Sequence, residues 1–261
     1  MALAVGAPVH AAGHAVDPAL RAAVDSSARS PENKARDKYR HPLQTLTFFG
    51  IRSDMTVVEL WPFGGWYTEI LAPYLREHGV LYEAAMDPAS TNREDIEMNS
   101  ELKAMFAAHP ELFDKVRLSV LAPGKMQIAP DGTADMVLTF RNIHNWVWAG
   151  MQKDVFAAAF RALKPGGILG VVEHRNNDPN AVPAKGRAYV GEQYAIRLIE
   201  SAGFKLVARS DINRNPKDTK DYPKGVWTLP PSYAEGNKDR AKYAAIGESD
   251  RFTLKFVKPR T

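Results

Sequence analysis

Six consecutive residues, Arg141-Asn142-Ile143-His144-Asn145-Trp146, bring together a guanidinium, two amides, an imidazole and an indole. Histidine is the side chain whose unperturbed pKa suits a general base at neutral pH, so His144 is the candidate to take a proton from an oxygen or nitrogen nucleophile. The same residue serves equally well as a helix-entry histidine bonded to nearby backbone. Arg141 and Arg175 are cations for an acidic substrate, or partners for local carboxylates. Trp146 and Trp148 suit either the wall of a substrate pocket or the core. Glu173 and His174 are both metal-ligand types. Adjacent residues on a strand point to opposite faces, however, so no metal site is expected from them.

A second group lies upstream. The stretch from Val57 to Glu69 begins with β-branched residues and Glu59, breaks at Pro62 and the Gly64-Gly65 pair, and resumes with apolar residues at helical spacing. Strand, glycine turn and helix together bring backbone N–H groups and a helix N-terminus close to a bound ligand, and Glu59 adds an acceptor there. A tight connection with no ligand has the same pattern. Asp87 closes the next apolar run and is placed to accept both hydroxyls of a ribose, or simply to start the turn before Pro88.

The elements that carry these residues alternate. Strands are expected at 56–60, 80–86, 116–120, 134–140, 168–173, 204–210 and 251–257. Helices are expected over 94–108, 151–163 and 190–202, between strands, and this alternation makes an α/β chain with a largely parallel sheet. The 134–140 run is nearly all apolar and belongs in the middle of the sheet. The last two strands lack a full crossover helix between them and can pair antiparallel. Their connection, 213–250, is long enough to act as a lid or binding loop. One or two helices precede the first strand, in a segment spanning 18–50, where Ser30-Pro31 reads as a helix cap. Tyr39, Arg40 and His41 in this segment either reach the site or lie on the surface.

The 261 residues suit one large domain with additions, here 51–261. A net charge of +4, with both signs interleaved, makes no stripe for nucleic acid, and none is expected as a partner. The absence of cysteine removes disulfides, thiolate metal sites and cysteine nucleophiles. No run is long and apolar enough to span a membrane. Residues 1–17, small and apolar with an Ala-x-Ala-like ending, resemble the end of an export signal. An exported or periplasmic protein is expected somewhat more than a cytoplasmic one.

The glycine turn after the first strand, the acid after the second, Asp135-Met136-Val137-Leu138 in the fourth and Leu163-Lys164-Pro165-Gly166-Gly167 before the fifth together resemble the class I S-adenosylmethionine-dependent methyltransferases. The stretches WPFGGWYTEILAPYL, ARDKYRHP, TFRNIHNW and KDYPKGVWTLPP resemble, more narrowly, a bacterial family of predicted methyltransferases of unassigned substrate. The resemblance implies a Rossmann-like, seven-stranded sheet of order 3-2-1-4-5-7-6 with helices on both faces. It implies S-adenosylmethionine as cofactor, with Glu59, Pro62, Gly64 and Gly65 around its methionine part, Asp87 on its ribose, and Asn142 on the methyl-transfer side. It departs from the general pattern at Trp61 and Phe63, which stand where glycines are usual, and in lacking an acid after the third strand.

Two functions compete on these grounds. One is methyl transfer to a small molecule with His144 as base, Arg141, Trp146 and Arg175 binding substrate, and no metal. The other is a non-catalytic, exported binding or structural protein on the same scaffold. A nicotinamide-dependent oxidoreductase needs Gly-x-Gly-x-x-Gly, which Phe63-Gly64-Gly65-Trp66 does not supply.

Overall fold

The computed structural model describes residues 16–260. The export-like segment of residues 1–17 lies almost wholly outside that range. A seven-stranded sheet runs through the molecule in the order β3-β2-β1-β4-β5-β7-β6, as the resemblance implies. Its strands are β1 (Thr56–Leu60), β2 (Val80–Ala85), β3 (Arg117–Val120), β4 (Ala134–Phe140), β5 (Leu163–His174), β6 (Lys205–Ser210) and β7 (Arg251–Val257). The first five are parallel, and β7 inserts antiparallel between β5 and β6. β5 begins earlier than its apolar run, because Leu163 already pairs with Ala134 across an irregularity in register.

Among the described residues four helices precede the sheet: α1 (Pro18–Asp25), α2 (Pro31–Lys34), α3 (Asp37–Arg40) and α4 (Pro42–Phe49). Ser30 caps α2 by accepting the Asn33 N–H at 3.3 Å, the role its position before a proline predicts. Further along come α5 (Thr68–Leu75), α6 (Arg93–Ala108), α7 (Pro110–Phe113), α8 (Ile143–Trp148), α9 (Gln152–Ala162), α10 (Glu192–Glu200) and α11 (Arg240–Ile246).

Side-chain alternation along the strands divides the core into two layers. On one face Val57, Leu81, Met136 and Leu138 pack with Leu20, Leu46, Phe49, Ile70 and Leu71, from α1, α4 and α5. On the other, Val58, Leu60, Val137 and Leu169 pack with Val155, Phe156, Ala159 and Ile199, from α9 and α10. The N-terminal helices are therefore part of the core. They also bring α3 to the edge where the parallel strands end.

The connection between β6 and β7 is no loose lid. Asn213 donates to Thr45 Oγ1 (3.0 Å) and Thr253 Oγ1 (2.9 Å), and Asn215 donates to the carbonyls of Ile246 and Glu248. The Tyr189 hydroxyl donates to buried Asp218, which also accepts the Asp250 N–H. Tyr222, Leu229 and Tyr243 make a small core of their own. Polar side chains of the connection thus pin it to the sheet and to the N-terminal helices.

Candidate active site

The turn after β1 has a strained backbone. Trp61 and Phe63 stand at φ +49° and +52°, and Gly65 at +75°. The first two are residues that rarely adopt left-handed geometry, at a cost of about 1–3 kcal/mol each. The chain thus keeps the shape of a glycine loop at the two positions where glycine is replaced. The indole of Trp61 points aside, donating to Leu121 O at 2.8 Å. A side chain at Gly65 would be strained by the left-handed φ and would have to displace the end of Met105 from α6.

Between this turn and the end of β2 lies a slot lined by Trp61, Pro62, Phe63, Ala85, Met86, Met98, Asn99 and Leu102, with a free volume of only about 10 Å³. Asp87 stands beside it near the surface, accepting Lys125 Nζ at 2.7 Å and the Ala89 N–H at 3.0 Å. Lys125 holds its carboxyl below the usual range.

Glu59 does not face the same opening. It is 3% exposed, on the α5 face of the sheet, and accepts the Thr68 hydroxyl at 3.1 Å. Its neighbour in register on β2 is Glu83, fully buried, whose oxygens have no hydrogen-bond partner among the described residues. Burial raises Glu59 to about 7 and Glu83 well above its ordinary value. Two carboxyls in one dry site cannot both be charged cheaply, so the pair holds a proton between them. As an open acceptor for a ligand, Glu59 is corrected: it is a buried acid.

Asn142 joins the ends of β4 and β1. Its Nδ2 donates to Leu60 O at 2.9 Å, while its buried Oδ1 has no partner among the described residues. Two residues on, His144 is 4% exposed, with Nδ1 3.2 Å from Glu173 Oε1. Glu173 is itself fixed, accepting the Ile143 N–H at Oε2 and the His174 N–H at Oε1, both at 2.7 Å. Trp148, His174 and Trp227 stand around the ring of His144.

The alternation argument against Glu173 and His174 meeting fails here. β5 ends at His174, and Glu173 folds back onto the following N–H. The donor atoms of His144, Glu173 and His174 consequently lie within 4.8 Å of one another. Both carboxylate oxygens are satisfied by backbone donors without an ion, and His174 Nδ1 is 2.6 Å from Ser249 Oγ.

Two expected substrate ligands are corrected. Trp146 is wholly buried, packed against Trp61 and Phe156, and belongs to the core. Arg175 is consumed by Glu192 (2.8 Å), Asp211 (3.1 Å) and Asp250 (3.7 Å). Arg141 is different. At φ +65° it is half-buried, and its guanidinium makes no hydrogen bond or ion pair among the described residues. Sequence reasoning left Arg40 between site and surface, and it missed Trp227, Glu248 and Arg251. The latter two had a signal, charges set directly before an apolar strand.

Comparison with known proteins was made against this geometry. No family model matches the sequence, and no curated protein does. Solved structures match over nearly the whole chain. A SAM-dependent methyltransferase from Aquifex aeolicus aligns with a TM-score of 0.59 at 16% identity, over 88% of this chain and 94% of that one. A putative sarcosine dimethylglycine methyltransferase from Galdieria sulphuraria aligns at 0.56 and 12%, over 88% and 87%. The fold is that of the class I S-adenosylmethionine-dependent methyltransferases. The cyclase SpnF shares it as well, at a TM-score of 0.59 and 14% identity over 91% of this chain and 86% of that one. The fold therefore does not settle the reaction, which depends on the residues of the site.

The site's own chemistry fits the fold's cofactor in its polar groups. The left-handed turn at 61–65, the accessible Asp87 carboxylate and the buried Asn142 Oδ1 are placed along one edge of the sheet. The apolar slot is contracted by Phe63, Met98 and Leu102. Methionine is the side chain best able to move aside, having an unbranched chain of rotatable bonds.

Proposed function

We propose that the protein is an S-adenosylmethionine-dependent methyltransferase acting on a small molecule. The observation that carries this reading is the backbone between β1 and α5. Trp61 and Phe63 are held there in the left-handed conformation of a glycine loop. Asp87 would hold the ribose, with Asn142 Oδ1 and the 62–65 turn at the methionine end. When bound, the cofactor supplies an electrophilic methyl group for in-line displacement.

The chain's own residues supply orientation and a base. Because both Glu173 oxygens already accept N–H bonds, the contact with His144 requires the proton on Nδ1, which leaves the lone pair on Nε2. Glu173 thus sets the tautomer, and His144 is the group that removes a proton from the acceptor. Trp148 and Trp227 limit water around the imidazole.

Isothermal titration with S-adenosylmethionine and S-adenosylhomocysteine tests the reading. Binding in the micromolar range, weakened at least about tenfold in Asp87→Ala through loss of charge-assisted hydrogen bonds, supports it. Absence of binding at high micromolar cofactor removes it.

A further inference from the structure

Positive charge accumulates beside His144 without matching negative charge. One carboxylate, Glu248, is bonded by three arginines: Arg36 Nε at 2.6 Å, Arg40 Nε at 3.3 Å, and Arg251 through Nη2. Arg251 also donates to Tyr39 O at 3.1 Å. Arg141 completes the group, in the field of Arg251, Arg36 and Glu248.

Three guanidiniums thus share a single carboxylate, and Arg141 adds a fourth positive charge to the group. Glu59 also lies within reach of the Arg141 field, but its carboxyl is turned to Thr68 and Glu83 and shares their proton. Arg40 and Arg251 are 5% and 3% exposed. Burying like charges together is expensive unless an anion neutralises them.

The unused donors show where an anion would sit. Arg40 spends only Nε on Glu248, and its terminal nitrogens donate to nothing among the described residues. Its guanidinium lies over the Trp66 ring at 4.6 Å, which fixes its plane. Arg141 spends no side-chain donor at all among the described residues. Planar forks of this kind match the paired oxygens of a carboxylate or phosphate.

Position adds to the argument. Arg141 is the first residue after β4, next to Asn142 and three before His144 in the chain. Burial pushes its guanidinium down to about 10, with Arg251 adding to the effect. A bound anion would relieve that strain.

We propose that Arg141, backed by Arg40 and Arg251, is a receptor for an anionic group, carboxylate or phosphate, carried by the methyl acceptor. The anion site stands on its own geometry; its assignment to the acceptor rests on the methyltransferase reading above. An acceptor anchored there by its charged end presents its nucleophile toward His144.

The test titrates the full-length protein with inorganic phosphate and with malonate, at ionic strength held constant with sodium chloride. Thermal unfolding and calorimetry are the readouts. S-adenosylmethionine affinity is measured on the same samples. Phosphate or malonate should raise the melting temperature well beyond chloride. Arg141→Gln should weaken that anion at least about tenfold while leaving cofactor affinity unchanged. Arg141→Gly, which suits the left-handed backbone, provides a second folded variant with the same expected loss, and Arg40→Lys should weaken binding less. Equal stabilisation of wild type and both Arg141 variants overturns the proposal, as does binding of neither probe above chloride. Arg141-dependent anion binding without cofactor binding would sink the methyltransferase reading and leave the receptor standing. The opposite pattern would do the reverse.

Discussion

Replacing Glu83 by glutamine should change how stability depends on pH. In the folded protein Glu59 is raised from 4.5 to about 7 and Glu83 well above its ordinary value, mainly by burial and, for Glu83, also by the neighbouring Glu59. In the unfolded chain both release their protons near 4.5. Between that pH and the folded values the native state binds more protons than the unfolded one, so stability falls as pH rises. For Glu59 alone the span corresponds to about 3 kcal/mol, complete just above neutrality, and Glu83 continues the loss to higher pH. His174 opposes this slope, because burial holds its pKa well below 6.5 and the unfolded chain takes up its proton first on acidification. Glu248, lowered by Arg251, Arg40 and Arg36 against its burial, stays ionised throughout the range and affects only the acid side. Neither is altered in Glu83→Gln, so the difference between variant and wild type isolates the part of the slope that Glu83 carries. Urea unfolding from pH 5 to 9 should show the two nearly level at pH 5 and the variant pulling ahead as pH rises, while the loss of roughly 3 kcal/mol carried by Glu59 stays common to both. Parallel curves, or a variant less stable than wild type at pH 9, would refute the shared-proton account.

Phe63→Gly should relieve the left-handed backbone at φ +52° and widen the slot beside Met98 and Leu102. S-adenosylmethionine should then bind several-fold tighter by calorimetry, and unchanged affinity would mean that Phe63 does not restrict entry. Tyr189→Phe removes the 3.0 Å donor to buried Asp218, which should cost about 1–2 kcal/mol in urea unfolding. Arg175→Gln should destabilise by about 2 kcal/mol, by leaving Glu192 and Asp250 short of a cation. It should leave cofactor and phosphate binding untouched; a loss of phosphate affinity would restore Arg175 as a ligand.

Strand positions were legible because their signal is local. β1, β4 and β7 fall on the residues where β-branched and apolar runs place them, and the antiparallel β7 follows from the missing crossover helix. Asp87 and Asn142 stand just beyond strand ends that the runs themselves mark. The failures are all cases in which a partner distant in sequence decides what a residue does. Nothing near Arg175 reveals that Asp211 and Asp250 will converge on it. Nothing near Trp146 says that Phe156 will close over it.

The same consideration bears on Arg141 and Arg175, which look alike in sequence, each a cation at the end of an apolar strand. They differ only in what the fold brings up against them. Around Arg175 it assembles three carboxylates; around Arg141 it assembles further arginines, from α3 before the sheet and β7 at its end. Segments some two hundred residues apart meet at Glu248, where Arg36 and Arg251 both bond it. An ion-pair network serving stability alone would gain by supplying more carboxylates, as the surroundings of Arg175 do. A site that keeps guanidinium donors unspent and half-buried has a different use for them, and the charge it lacks has to arrive from outside the chain.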